Sequence, residues 1–188
     1  MNQYYHMKVA GVERDLPLCP LSKRLMIAGF VIFGDIELTE ACARELNKLA
    51  PEHDVLITAE SKGIPLICEM ARQAGEKRYV LARKEAKLYM KDVLKVSVRS
   101  ITTGHEQTLV LDGHDAEYLK GKRVVIVDDV ISTGESLHAM EELVETAGGN
   151  IVGKMAVLAE GDAIPRKDII YLEKLPLFDG DGNPLPTE

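Results

Sequence analysis

From residue 54 onward, short apolar runs alternate with amphipathic ones. Residues 54–58 (DVLIT), 78–82 (RYVLA) and 123–127 (RVVIV) are rich in consecutive apolar and β-branched positions. That is the pattern of strands buried on both faces. Residues 150–159 and 168–172 continue the series. Between them, residues 63–74 place Ile64, Ile67, Ala71 and Ala74 on one face at helical spacing, and residues 135–147 do the same with Leu137, Met140, Val144 and Ala147. Gly148 and Gly149 predict where the second helix stops. The alternation predicts an α/β fold: a parallel sheet flanked by helices. Upstream, residues 25–36 are apolar and predict one or two short strands. Residues 39–50 predict a helix with Thr39 as its N-cap. The polar segment 1–12 is expected to be loosely held.

One segment departs from this rhythm. Leu94, Val96 and Val98 alternate with Lys95, Ser97 and Arg99 within residues 92–103, and residues 108–111 are a suitable partner. Thr103, Gly104, His105 and Glu106 would make the turn of a hairpin. A hairpin set into an α/β core is commonly a lid rather than a core element.

The 188 residues fit one domain, and the net charge of −7 opposes a nucleic-acid surface, which needs a basic face. Cys19, Cys42 and Cys68 are odd in number and widely spaced, suggesting neither a disulfide framework nor a zinc site. The histidines have no ligand spacing. No run approaches a membrane span and the first ten residues lack a signal-peptide core, so a cytoplasmic location is expected.

The chemistry concentrates in VVIVDDVISTGES, residues 124–136. An apolar strand leads to two adjacent acids, and a loop with Ser132, Thr133, Gly134 and Ser136 then opens a helix. Ligands of open α/β sheets collect beyond the carboxyl ends of strands. A helix N-terminus offers free N–H groups and a positive dipole end to phosphate. Gly134 permits close approach of the backbone, and the hydroxyls add donors. Two carboxylates ahead of an anion site suit sugar hydroxyls, so a ribose 5-phosphate fits both halves. The bland alternative is a capped strand-to-helix turn with solvated acids. The Walker loop and the Rossmann fingerprint are both absent.

This array closely resembles the signature of the type I phosphoribosyltransferases, and the resemblance covers roughly residues 30–178. It implies a five-stranded parallel core, a small hood over the base (about residues 20–38) and a mobile flap (about 84–111) in a single domain. It implies 5-phosphoribosyl-1-pyrophosphate (PRPP) and a free purine base as substrates, Mg²⁺ carried mainly by PRPP and water rather than by a protein cage, and a homodimer. Asp128 and Asp129 take the ribose-binding positions. Ser132, Thr133, Gly134, Glu135 and Ser136 take the 5-phosphate loop. Glu60, Ser61, Lys62 and Gly63 resemble the pyrophosphate loop, in which a non-proline cis peptide is expected within residues 60–62. Arg83, Lys84 and Lys87 resemble the cationic R-K-x-x-K element before the flap. Asp128, Asp129 and Lys87 are thereby the candidate catalytic groups.

Branch markers point mainly to adenine. The third residue after the acid pair is Ser132, where the hypoxanthine–guanine branch usually has an acid. Residues 29–36 (GFVIFGDI) resemble the adenine hood, with the base near Phe33 reading backbone groups around Ile32 and Gly34. Gly34 stands where that branch usually has Arg, and Ile101-Thr102 follow Ser100 where it has Glu-Tyr. Residues 82–84 and the flap also resemble the xanthine branch, and RKEAK the orotate branch. A PRPP-binding regulator without catalysis is the alternative from outside the enzymes.

Overall fold

The computed structural model describes residues 4–99 and 106–187. A five-stranded sheet forms the core, in the order β10-β9-β8-β4-β5, with every neighbouring pair parallel. Its strands are β4 (Val55–Ala59), β5 (Val80–Ala82), β8 (Arg123–Ile131), β9 (Asn150–Glu160) and β10 (Ile170–Leu175). Helices α1 (Ile36–Leu49) and α2 (Gly63–Ala74) cover one face, packing Leu46, Leu66, Ile67 and Met70 with Leu56, Val125 and Val127. Helix α4 (Glu135–Thr146) covers the other, joining Leu137, Met140 and Leu143 to Ile57, Val124 and Ile126. The apolar runs therefore lie between two layers, as their continuous hydrophobicity requires. Among the described residues no helix is long and apolar enough to cross a membrane.

The beginning of the chain is not loosely held. Strands β1 (Tyr4–Val9) and β2 (Val12–Pro20) form an antiparallel hairpin, turned at Ala10 and Gly11, both with positive φ (51° and 85°). Such turns match the natural twist of a hairpin. The period-two signal was present: Met7 and Val9 are buried while His6 and Lys8 are exposed. Strand β3 (Leu25–Ala28) and the late strand β11 (Phe178–Asp179) complete this second sheet, in the order β1-β2-β3-β11. The expected strand content of residues 25–36 ends at Ala28. Helix α1 also starts earlier than expected, and its N-cap is Asp35, whose carboxylate accepts from Leu38 N at 3.0 Å. Thr39 lies inside the first turn, where its hydroxyl donates to Asp35 O at 2.6 Å.

The hairpin forms as expected from β6 (Leu94–Arg99) and β7 (Glu106–Leu111). Of the expected turn, residues 103–105 lie outside the described residues and Glu106 instead begins β7. A backbone exchange pins its base: Arg83 N donates to Val110 O at 2.9 Å and Val110 N to Arg83 O at 2.8 Å. A short helix, α3 (Gly113–Leu119), was not anticipated; Asp112 caps it.

The chain order creates an opening at one place. From β4 the chain moves outward to β5, then returns across the sheet to β8 and continues the other way to β9 and β10. Strands β4 and β8 pair only through Ile57 and Ile126, while β8 runs on beside β9 to Ile131. The fork is the crevice where α/β sheets hold ligands.

Packing at the fork depends on Gly63. A β-carbon there would lie 2.2 Å from Thr58 Oγ1, itself fully buried. Gly63→Ala should therefore cost about 1–3 kcal/mol, measured as denaturant midpoint. The double variant with Thr58→Ala should recover most of it; no recovery would show that the clash is elsewhere.

Candidate active site at the fork of the parallel sheet

Asp128 and Asp129 stand at the fork, two and three residues past the last β4–β8 pair. They do not sit where β8 stops, as the apolar run implied. The strand continues through them and stays hydrogen-bonded to β9, Asp128 opposite Ala156. Their second edge faces the crevice because β4 has already parted from it. Burial, and then the charge of Asp129, hold the Asp128 carboxyl well above the usual carboxylate range. Its Oδ1 accepts from Asp129 N at 2.8 Å. Asp129 is nearly buried, at 3% exposure, and its Oδ2 lies 2.8 Å from Lys62 Nζ. That contact is a charge pair without hydrogen-bond alignment, since Oδ2 has no well-directed donor among the described residues.

Lys62 ends the turn after β4, which contains a cis Glu60–Ser61 bond as expected. Glu60 ties this turn to the end of β5: Lys84 N donates to Glu60 Oε1 at 2.7 Å, and Arg83 Nη1 lies 3.3 Å from Oε2. Gly63 follows Lys62 and opens α2. Its bare face meets Thr58, so it permits helix α2 to start against the strand.

Beyond Asp129 the chain turns through residues 132–136 into α4. Gly134 is the N-cap, with φ +81° and no side-chain cap. Thr133 Oγ1 accepts from Glu135 N at 3.4 Å, a long contact. The flap reaches this turn, since Gln107 Nε2 donates to Ser136 Oγ at 3.2 Å. A crevice of about 550 Å³ results, lined by residues 59–62, Lys84, residues 107–109 of the flap, residues 128–130 and Ser136.

Predicted residues thus divide into three groups. Glu60, Ser61, Lys62, Lys84, Asp128, Asp129 and Ser136 line one space, with Ser132, Thr133, Gly134 and Glu135 continuous with it. Arg83 and Lys87 stand at the flap's base: Arg83 Nη2 donates to Tyr89 Oη at 3.1 Å, and Lys87 Nζ to Glu85 at 2.5 Å. Ile32, Phe33 and Gly34 do not line this crevice. Ile32 is wholly buried and its carbonyl accepts from Asp35 N at 3.2 Å; Phe33 is half exposed. Gly34 opens on a separate hollow of about 410 Å³ between the first turn of α1 and the side of α2 from Pro65 to Arg72.

Two participants were not read from the sequence. Gln107 sat in an alternating strand with no chemical marker. Glu160 ends β9 and is buried beside the fork; burial raises its proton affinity, while the Ser132 hydroxyl and the Lys62 charge oppose that rise.

Comparison with known proteins agrees with this architecture. Residues 35–176 match the phosphoribosyl transferase domain family, and the chain belongs to it. It falls among the purine phosphoribosyltransferases, enzymes of glycosyltransferase type. An adenine phosphoribosyltransferase of Kosmotoga olearia is 32% identical over 166 residues, covering 87% of this chain and 94% of that one. A hypoxanthine/guanine phosphoribosyltransferase of Methanococcus vannielii is 30% identical over 183 residues, covering 90% and 95%. The solved adenine phosphoribosyltransferase of Thermoanaerobacter pseudethanolicus superposes with a TM-score of 0.64 at 26% identity, covering 76% of this chain and 84% of that one. Relatives named for different bases match to a similar extent, so the comparisons do not fix the base.

The acid pair has a cost measurable as stability. Asp128 holds its proton more tightly in the folded chain, to about 7, than at its ordinary value of 3.8. That linkage favours folding below the ordinary value, and the advantage is lost as pH rises through the folded one. Asp128→Asn should therefore melt several degrees above the wild type at about pH 8. The gap should close below about pH 4. A difference in Tm that does not vary with pH would contradict this account.

Proposed function

We propose that this enzyme transfers 5-phosphoribose from PRPP to adenine, forming AMP and releasing pyrophosphate. The observation that carries the reading is the single crevice in which an acid pair, a lysine-bearing turn and an α4 N-terminus converge. A sugar phosphate needs those three groups at once: acceptors for its diol, cations for its pyrophosphate and N–H groups for its 5-phosphate. In this reading Asp128 and Asp129 hold the ribose hydroxyls. Residues 132–136 hold the phosphate. Lys62, Lys84 and Arg83 face the leaving pyrophosphate, with Lys87 joining them when it exchanges Glu85 for the substrate.

The bond from C1 of ribose to the pyrophosphate oxygen breaks, one from C1 to a ring nitrogen forms, and the proton of that nitrogen passes to the released pyrophosphate or to water. Little bonding to either group at the transition state leaves positioning and charge stabilisation as the main contributions. The ribose then carries positive charge, which the buried carboxylates oppose best when ionised. Described residues include no cluster of three or more His, Cys, Asp or Glu that could grip a metal. The poorly satisfied Asp129 Oδ2 is nonetheless an acceptor suited to a metal-bound water or a sugar hydroxyl. Mg²⁺ arriving on PRPP would offset charge on the leaving pyrophosphate. The flap, whose Gln107 already touches Ser136, would close over the sugar and exclude water.

The antiparallel sheet, together with residues 29–35, would form the hood over the base. Adenine is favoured by the hood segment and by the relative from Kosmotoga. Hypoxanthine or guanine is the second reading, favoured by the relative from Methanococcus. We also place the enzyme in the cytoplasm as a homodimer, which light scattering of the purified protein tests.

Incubation with PRPP, Mg²⁺ and single bases should yield AMP fastest from adenine. Faster product from hypoxanthine, guanine, xanthine or orotate would reassign the base, and PRPP binding without turnover on any base would make the protein a regulator. The double variant Asp128→Asn, Asp129→Asn should lose PRPP affinity far more than base affinity. Thr133→Ala should weaken PRPP by about 1–2 kcal/mol in a titration. Wild-type affinity in both variants would place the sugar elsewhere.

A further inference from the structure

Arg166 lies outside every motif in the sequence, yet its guanidinium reaches the α4 N-terminus. It follows the short turn Gly161–Ala163 that closes β9, and its backbone N–H donates to Ala163 O at 3.2 Å. Its Nε and Nη2 donate to the two oxygens of Asp168 at 3.0 and 2.7 Å. Asp168 is held in turn by Lys154 Nζ at 2.5 Å, and the same ammonium donates to Glu141 Oε1 on α4 at 2.6 Å. This two-pronged grip sets the plane of the guanidinium, as a lysine could not. The third nitrogen, Nη1, is left directed at Gly134: a β-carbon there would lie 2.6 Å from it.

That placement opposes simple electrostatics. A helix N-terminus carries the positive end of the helix dipole and favours anions. Gly134 has no side-chain cap, so nothing on the cap residue itself offsets the charge. Asp168 and the first-turn Glu135 offset part of this charge, and an anion received at the turn would offset more. Gly134 is also the residue whose left-handed φ shapes the turn.

We propose that Arg166 is a positioning residue of the 5-phosphate loop, with Nη1 covering Gly134, holding the turn in its anion-receiving form and offsetting the charge of the phosphomonoester. The inference rests on the reading of residues 132–136 as the phosphate site. It explains why position 134 excludes a side chain twice over, by its φ and by the guanidinium above it. It also makes Asp168, Lys154 and Glu141 the relay that aims Arg166.

The test compares ribose 5-phosphate with inorganic pyrophosphate, which shares the crevice but not this turn. Arg166→Gln should weaken ribose 5-phosphate about tenfold in a titration and leave pyrophosphate affinity unchanged. KM for PRPP should rise by a similar factor with little change in kcat. Arg166→Lys should recover part of the loss. A merely structural role would instead lower Tm and weaken both ligands together. Should the glutamine variant fail to fold, the lysine variant decides: it keeps the charge but not the two-pronged grip, so ribose 5-phosphate must still bind more weakly than to wild type. Wild-type affinity for ribose 5-phosphate in the folded glutamine variant, or in the lysine variant standing in for it, overturns the inference and leaves the site reading intact. A wild-type protein that ignores ribose 5-phosphate overturns both.

Discussion

Two carboxylates forced together in the sheet are the constraint around which this molecule is arranged. Adjacent on one strand and largely removed from water, Asp128 and Asp129 repel each other, and the proton affinity of Asp128 rises in response. The fold supplies one compensating cation, Lys62, from the turn after the neighbouring strand. That turn can deliver its lysine only because β4 has separated from β8 by then. Charge repulsion, the parted strands and the crevice are therefore one feature seen three ways.

Close packing keeps the arrangement rigid. Helix α2 begins against Thr58 with only the hydrogen of Gly63 between them. Glu60 binds the turn to the end of β5, and Arg83 there exchanges two backbone hydrogen bonds with the flap. The hairpin is thus tied to the strand end that carries Arg83 and Lys84, while Gln107 touches Ser136 across the crevice. Hydrogen bonds thus join the turn after β4, the end of β5, the hairpin and the start of α4. Residues 32–34 stand apart: Ile32 belongs to the core and Gly34 to another hollow. Relatives named for different bases match to a similar extent, so the family assignment leaves the base open.

Local chemistry was legible along the chain wherever a short window carries its own signal. Buried parallel strands need unbroken apolar runs, and helices need apolar residues three and four apart. Most of the core elements could therefore be placed within a few residues. The acid pair and the hydroxyl-rich turn could be read together because strand, acids, turn and helix are consecutive. Helix α1 was misplaced at its start because Asp35 competes with Thr39 as a cap, and only the fold shows which one leaves the helix. The β1–β2 hairpin was overlooked because its charged outer face masks a half-buried strand.

What the sequence by itself determined was the chemical inventory and its order: five buried strands, a hydroxyl-rich turn after an acid pair, and an inserted hairpin. Tertiary structure alone decided which distant residues meet. Lys62 reaches Asp129, Gln107 reaches Ser136, Glu160 comes beside Ser132, and Arg166 settles over Gly134. Each meeting joins different elements, and their spacing along the chain carries no trace of it. Periodicity records how one element buries its own face. Contact between elements follows from sheet order and strand divergence, which arise only when all the faces are buried at once.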